Sequence, residues 1–172
     1  HHLIDTDYNQ RSRTCSVMKS KLLAKNIISN HLSELQLEDI PSLIPELTEL
    51  EIQYLEYVLE ENNRVQQFVT SMTEADVPRL GTLLFESHQG LRFKYKVSCK
   101  ELDHLVDFAM KDDRCFGARM MGGGFGGSTL HLVNQYNLSS YLEDISQHYK
   151  SFSGFVPNYF VSTIENGVQR IQ

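Results

Sequence analysis

Five glycines and one phenylalanine fill positions 122–127, the densest glycine run in the chain. Short apolar runs precede and follow it, which indicates a loop between two strands. Glycine loses more backbone entropy on folding than other residues, so the cluster indicates a backbone that passes where a Cβ atom would clash. A phosphate, a facing loop or a tight, strained turn would each impose that demand. The run consists of Gly122, Gly123, Gly124, Phe125, Gly126 and Gly127.

The loop departs from the two common glycine-rich nucleotide motifs. Gly122, Gly124 and Gly127 match the letters G-x-G-x-x-G. A dinucleotide-binding loop with those letters opens a helix, whereas a strand-like run follows here. A Walker A loop ends in Gly-Lys-Ser/Thr, and this run contains no lysine. If the loop lies beside a phosphate, other parts of the protein must supply the positive charge.

Three further side chains could have a role beyond packing. Tyr8 lies at the start of the first predicted helix, outside its apolar stripe. Glu86 and His88 have the chemistry of general acids or bases, but two residues apart on a helix they do not share a face. We interpret them as structural residues. Arg11 and Arg13, in the first turns of the same helix as Tyr8, are interpreted as solvated.

Composition and charge restrict the class of protein. The 172 residues suit one domain with its own core. The net charge is −6 and the basic residues are scattered, which argues against nucleic acid or a membrane as partner. No apolar run approaches the roughly 18 residues of a membrane span. The cysteines Cys15, Cys99 and Cys115 form neither a disulfide framework nor a zinc pattern, so we expect a reducing, cytoplasmic setting.

Helical spacing of apolar residues predicts the first three helices. One follows a polar cap at 5–7, and a longer one of about 26 residues covers 47–72. The acidic run 56–61 of the longer helix is expected to face solvent. The third helix begins at Asp76 and ends near Gly90, because glycine is a frequent helix stop.

Two capping boxes are predicted to open the remaining helices. Ser98 pairs with Glu101 in the first box, and Ser140 pairs with Glu143 in the second. Gly154 then closes the last helix.

The alternating residues 158–164 and the dipeptide Asn166-Gly167 predict a hairpin completed by 168–171. With the two strands that flank the glycine loop, the chain is therefore α+β: a small, mostly antiparallel sheet packed with four to five helices.

The glycine loop resembles the third signature motif of the GHMP kinases, most closely in its galactokinase branch. Other segments of the chain resemble further galactokinase signatures in the same order, and together the matches cover nearly the whole sequence. These segments are His1-x-Leu3 with Tyr8-Asn9-Gln10-Arg11 and Cys15, residues 60–65, residues 80–92 and residues 97–103.

The resemblance implies that residues 1–172 form one GHMP-kinase C-terminal-type domain, without the N-terminal half that binds ATP and sugar. The complete enzyme would transfer the γ-phosphoryl group of ATP to the C1 hydroxyl of galactose. Its partners would be galactose, ATP and the N-terminal half of the same polypeptide. ATP and Mg²⁺ would be held mainly by that half. We therefore expect no catalytic residue and no metal ligand in this chain, and no kinase activity from the chain alone.

The resemblance also assigns roles to individual residues. Tyr8 matches a tyrosine that hydrogen-bonds the sugar. Residues 122–127 match the loop that packs beside the phosphate-binding loop and the sugar pocket. Four positions depart from the family pattern, and we interpret them as lineage variation. They are Met121 for threonine or serine, Ser128 for cysteine, Lys100 for proline and Ser12 for arginine.

The sequence also allows other functions than that of a galactokinase. An N-acetylgalactosamine kinase shares the same motifs. A galactose and ATP sensor would keep binding without chemistry. A free-standing regulatory or structural domain is a further class. A C-terminal half separated from its partner should expose an apolar patch, whereas a free-standing domain should not.

Overall fold

The computed structural model describes residues 7–163, with side chains from Asn9 onward. Six helices and two strands alternate with short 3₁₀ turns and irregular segments. They are α1 (Asp7–Ala24), α2 (Ile40–Leu43), α3 (Glu49–Thr73), α4 (Val77–Gln89), α5 (Lys100–Ala109), β1 (Cys115–Met121), β2 (Ser128–Val133) and α6 (Leu138–Ser153). The predicted α+β class is confirmed.

The sheet of the described residues is a single antiparallel pair. β1 pairs with β2 from Met121 opposite Ser128 to Cys115 opposite Val133, with an irregularity between Cys115 and Gly117. The predicted order of strand, glycine loop and strand is therefore confirmed. The strand predicted at 158–164 is wrong over its described part, because residues 158–163 belong to no strand. The hairpin turn at 166–167 lies outside the described residues.

Caps mark three helix ends, of which those at Asp76 and Gly154 were predicted. The Thr48 hydroxyl accepts the Glu51 N–H at 3.3 Å where α3 begins. The Asp76 carboxylate accepts the Arg79 N–H at 3.0 Å in the same way at α4. Gly154 ends α6 with a φ of +79°, a left-handed conformation that glycine adopts without steric cost.

The two predicted capping boxes are wrong, because each serine hydroxyl donates to another residue. α5 begins after Cys99, and the Ser98 hydroxyl donates to Asp103 instead of capping the helix. α6 begins two residues before Ser140, whose hydroxyl donates to the Asn137 carbonyl. The predicted end of the third helix near Gly90 is confirmed, since α4 ends at Gln89, but Gly90 keeps a right-handed φ of −60° and a π-helical turn over Gly90–Lys94 follows.

The apolar core has three parts. One joins α1, α3 and the turns between them, around Met18 and Leu55. A second packs α5 and α6 against the sheet, around Val106 and Tyr141. The third, around Met120, lies directly beneath the glycine loop. The loop therefore rests on packed side chains and not on solvent.

α4 and β1 approach each other unusually closely. An added Cβ at Gly81 would lie 1.8 Å from the Phe116 carbonyl oxygen, and one at Gly117 would lie 2.2 Å from the Gly81 oxygen. Two glycines therefore let the helix and strand backbones touch. This contact sets the position of the strand that leads into the loop. None of the described helices is long and apolar enough to cross a membrane.

Candidate functional site

The glycine loop turns through several left-handed residues between β1 and β2. Positive φ angles occur at Gly122 (+74°), Gly124 (+83°), Phe125 (+57°), Gly126 (+126°) and Gly127 (+100°). Apart from Phe125, these are conformations that glycine adopts and bulkier residues avoid. The density of glycines in the sequence is therefore explained largely by backbone conformation.

The middle of the loop is fastened to the segment before α5. The Phe125 N–H donates to the Val97 carbonyl at 2.7 Å. An added Cβ at Gly124 would lie 2.1 Å from that same oxygen. At Gly124 the close neighbour is thus a facing loop, one of the alternatives that the sequence left open. A Cβ at Gly122 would meet nothing within 4 Å, so that residue faces open space.

An open cavity of about 590 Å³ lies between the loop, α1 and the segment 91–97. Gly122 and Gly123 form part of its wall. Three cationic side chains, from Arg11, Lys19 and Arg119, line it together with the Tyr57 and Tyr95 rings. In a chain of net charge −6, this cavity gathers positive charge beside exposed glycines, an arrangement suited to an anion such as a phosphate.

Arg11 joins α1 to the glycine loop, so the expectation that it is only solvated is wrong. Its Nη2 donates to the Lys96 carbonyl at 2.8 Å. Its guanidinium carbon lies 5.1 Å from the centre of the Phe125 ring, within cation–π range. Arg13 is exposed, as expected. α1 also contains Tyr8 in its first turn, but the Tyr8 side chain lies outside the described side chains, and its sugar-binding role stays a prediction.

Glu61 anchors a charged network on the other side of the loop, so the acidic run of α3 is not wholly solvated. Its Oε1 lies 3.2 Å from Arg119 Nη1 and accepts the Ser87 hydroxyl at 2.6 Å. Arg64 forms a second ion pair with Glu61. Arg119 is therefore held between α3 and the cavity by an opposite charge.

Glu86 and His88 are not brought together, in agreement with their structural interpretation. Glu86 is nearly half exposed and pairs with Arg79 at 3.2 Å. His88 is fully buried, and its Nδ1 accepts the Met120 N–H at 3.2 Å. Burial lowers the pKa of His88 below its usual value, although Asp103 acts in the opposite direction. His88 therefore does not face the cavity.

Sequence reasoning missed Arg119, Val97 and Asp103 as parts of the site. Arg119 alternates with buried residues along β1, which is a usable signal for a side chain that emerges beside the loop. The Val97 carbonyl carries no such signal, because any residue has one. Among residues 7–163, no three His, Cys, Asp or Glu side chains are grouped so that they could hold a metal ion. No step of a mechanism is therefore assigned to a metal on these residues.

Comparison with known proteins shows which proteins the chain is similar to. Residues 68–151 match the family model described as GHMP kinases C terminal. Galactokinase of Thermotoga petrophila is 34% identical over 171 residues, which cover 99% of this chain and 46% of that protein. Galactokinase of Clostridium beijerinckii is 33% identical over 171 residues, covering 98% of this chain and 43% of that protein.

A solved structure agrees with these matches. The crystal structure of Lactococcus lactis galactokinase complexed with galactose matches with a TM-score of 0.82 and 29% identity, covering 91% of this chain and 40% of that one. The chain thus spans about half the length of the curated relatives it matches. Residues 68–151 are thus similar to the C-terminal part of GHMP kinases, and the similarity to galactokinases extends over nearly the whole length of the chain.

Proposed function

We propose that this chain acts as the C-terminal part of a galactokinase, with residues 1–172 forming one domain. The observation that carries the proposal is the similarity to galactokinases across the whole chain, together with a matching fold. The reaction moves the γ-phosphoryl group of ATP to the C1 oxygen of galactose. The bond between the γ-phosphorus and the β–γ bridging oxygen breaks, ADP leaves, and the C1 hydroxyl proton is released.

The described residues support part of this task. Phosphoryl transfer depends mainly on positioning and on neutralising phosphate charge. The glycine loop supplies a rigid wall that a phosphate can approach closely at Gly122 and Gly123. Arg119, Arg11 and Lys19 supply positive charge in the same cavity. Tyr8, in the first turn of α1, would contact the sugar.

An N-terminal half of the same polypeptide would complete the enzyme by holding most of the ATP and the Mg²⁺ ion. An exposed apolar segment supports such a partner. Phe155 is 76% exposed and Phe160 is 99% exposed, with Val156, Tyr159 and Val161 exposed between and beside them. A separated half should present such a patch. The three free cysteines fit a cytoplasmic location.

The test compares the chain alone with the chain joined to its upstream sequence. ADP release from Mg-ATP is measured with galactose, N-acetylgalactosamine and glucose in turn. We expect turnover with galactose only, from the joined protein only. Galactose-dependent ADP release by the chain alone would refute its inactivity. Turnover confined to N-acetylgalactosamine would assign the other sugar kinase, and sugar-dependent ATP binding without turnover would assign a sensor.

The role of Tyr8 is tested by Tyr8→Phe in the joined protein. Loss of a hydrogen bond to the sugar should raise the KM for galactose about tenfold, with little change in the KM for ATP. Tyr136→Phe is the matched control, because Tyr136 is 88% exposed and lies away from the cavity. Equal kinetics for the two variants would remove Tyr8 from the sugar site.

A further inference from the structure

The two anchor points of the glycine loop converge on one partly buried carboxylate, that of Asp103. The Met120 N–H, at the end of β1, donates to His88 Nδ1 at 3.2 Å. The Phe125 N–H, in the middle of the loop, donates to the carbonyl of Val97 at 2.7 Å. Asp103 of α5 contacts both His88 and Ser98, the residue after Val97. The loop is therefore held by groups that share a single partner.

The hydrogen bond from Met120 determines the protonation of His88. A backbone N–H can only donate, so Nδ1 must present its lone pair, and the proton of the neutral ring lies on Nε2. Nε2 lies 3.2 Å from Asp103 Oδ1. Burial lowers the pKa of His88, which favours this neutral ring. The Asp103 carboxylate lies on the Nε2 side of the ring, so its negative charge favours the tautomer with the proton on Nε2, which is the one that can accept the backbone bond.

Asp103 is in turn held by two further donors. The Ser98 hydroxyl donates to Oδ1 at 2.5 Å, and Arg92 Nε pairs with Oδ2 at 3.0 Å. Arg92 is also paired with Asp107 at 2.8 Å. One carboxylate therefore connects the end of α4, the turn next to Val97 and the first turn of α5.

We propose that His88 and Asp103 are positioning residues that hold the glycine loop in the shape that the reaction needs. The expected effect of these residues on kcat rests on the proposed function, whereas their expected effect on the shape of the loop does not. His88 is fully buried and lines neither the cavity nor its wall, so it acts on the substrates only through the loop.

Two substitutions of His88 separate its hydrogen bond with the Met120 N–H from its contact with Asp103. In His88→Asn the amide oxygen occupies the place of Nδ1 and can still accept the Met120 N–H, while the contact with Asp103 is lost. In His88→Gln the amide reaches the place of Nε2 and keeps Asp103, while the Met120 N–H loses its acceptor. His104→Gln is the control, because His104 stacks on His148 and Phe152 away from the loop.

Amide hydrogen exchange of peptides covering 120–127 is measured in the complete protein. We expect exchange about tenfold faster in His88→Gln than in wild type, a smaller increase in His88→Asn, and none in His104→Gln. Asp103→Asn supplies a second variant should His88→Gln not fold, and it too should exchange faster. Equal exchange in wild type and Asp103→Asn, or in His88→Asn and His88→Gln, would overturn the proposal.

Kinetics of the same variants provide the second readout. A displaced loop should lower kcat with galactose about tenfold in His88→Gln, while both KM values change less than about threefold. If kcat falls only by the factor by which the folded fraction of the protein falls, the role of His88 is merely structural, and the proposal is overturned. If the wild-type protein shows no turnover, the proposed function fails, whereas the exchange measurement still decides the role of His88 and Asp103.

Discussion

At the scale of single residues, Gly122 and Gly124 show that two glycines of one loop serve different purposes. Both have positive φ angles, which cost an alanine about 1–2 kcal/mol. Only Gly124 also lies against backbone, with the Val97 oxygen 2.1 Å from the position of an added Cβ. Gly122 is therefore required by conformation alone, and Gly124 by conformation and contact.

This difference gives a matched pair of substitutions. Gly122→Ala should lower the free energy of unfolding by about 1 kcal/mol, from strain at positive φ. Gly124→Ala should lower it by about 3 kcal/mol or more, because the Val97 carbonyl must also move and its bond to Phe125 weakens. Urea unfolding of both variants measures the two values. Equal losses would contradict the close approach at Gly124.

His131 of β2 makes stability depend on pH. Its Nδ1 lies 2.7 Å from the Tyr141 hydroxyl and its Nε2 lies 2.8 Å from the Thr129 hydroxyl. Burial lowers the pKa of His131 to about 4, and His88 acts in the same direction. In the unfolded chain the pKa is about 6.5, so below that pH only the unfolded state takes up the proton.

The folded state should therefore lose stability as the pH falls from about 6.5 to about 4, by up to about 3 kcal/mol from His131. Above pH 6.5 both states are neutral at this residue, and its contribution to the slope vanishes. His131→Gln should flatten the dependence in that window, while the exposed His31→Gln should not. Urea unfolding at several pH values provides the measurement, and parallel curves for wild type and His131→Gln would contradict it.

At the scale of elements, the contact between α4 and β1 determines where the loop begins. Gly81 lies inside a helix, where alanine is ordinarily favoured by about 1 kcal/mol. Here an added Cβ would lie 1.8 Å from the Phe116 carbonyl oxygen, which belongs to backbone and cannot rotate away. The free-energy cost of this clash therefore exceeds the gain in helix propensity from alanine.

Gly81→Ala should lower the free energy of unfolding by about 3 kcal/mol, because helix and strand must separate. Gly90→Ala, at the start of the π-helical turn that follows α4, is the matched control. Its Cβ would meet only the Tyr57 ring, at 3.0 and 3.1 Å, and a ring can shift. Its effect should stay within about 1 kcal/mol. Thermal or urea unfolding measures the free energy of unfolding of the two variants. If Gly81→Ala is as stable as wild type, α4 and β1 can move apart without cost, and the prediction is wrong.

The elements that sequence predicts best are those with local causes. α3 and α4 follow from apolar spacing and from caps that use the residue next to the helix, Thr48 and Asp76. The predicted caps of α5 and α6 failed because the hydroxyls of Ser98 and Ser140 bond elsewhere. The close contact of Gly90 with the Tyr57 ring, 3.0 Å from the position of an added Cβ, could not be predicted, because Tyr57 is far away in sequence.

In the candidate site, too, features with local causes could be predicted and features with distant causes could not. The glycine loop could be located from its composition, since positive φ angles are a local demand. The contacts that fix it could not, because Arg11 reaches a carbonyl 85 residues away and Arg119 pairs with Glu61 across 58 residues. The residue types alone do not show which charged side chains pair with each other in the fold.

At the scale of the whole molecule, the exposed apolar segment after α6 distinguishes a half from a free-standing domain. Phe155 and Phe160 are 76% and 99% exposed. With these rings exposed and no strand among residues 154–163, the segment presents an apolar surface to a partner.

The chain alone should therefore bind a hydrophobic dye, and the double variant Phe155→Ser, Phe160→Ser should reduce the dye fluorescence by about half or more. Phe93→Ser is the control, because Phe93 is 59% exposed but is covered on one face by Arg92. Fluorescence titration measures the effect. If the upstream half, added or joined, leaves dye binding unchanged, the segment is not part of the surface between the halves.

The bond between Arg11 and the Lys96 carbonyl has a consequence for the order of events during folding. It joins residues 85 positions apart, and Arg11 also lies over the Phe125 ring. Contacts between distant residues form late, since the entropy of closing a long stretch of chain must be offset first. α3 and α5 can form their local turns early. We therefore expect the glycine loop to acquire its final shape among the last steps of refolding, after most of the helical signal has returned.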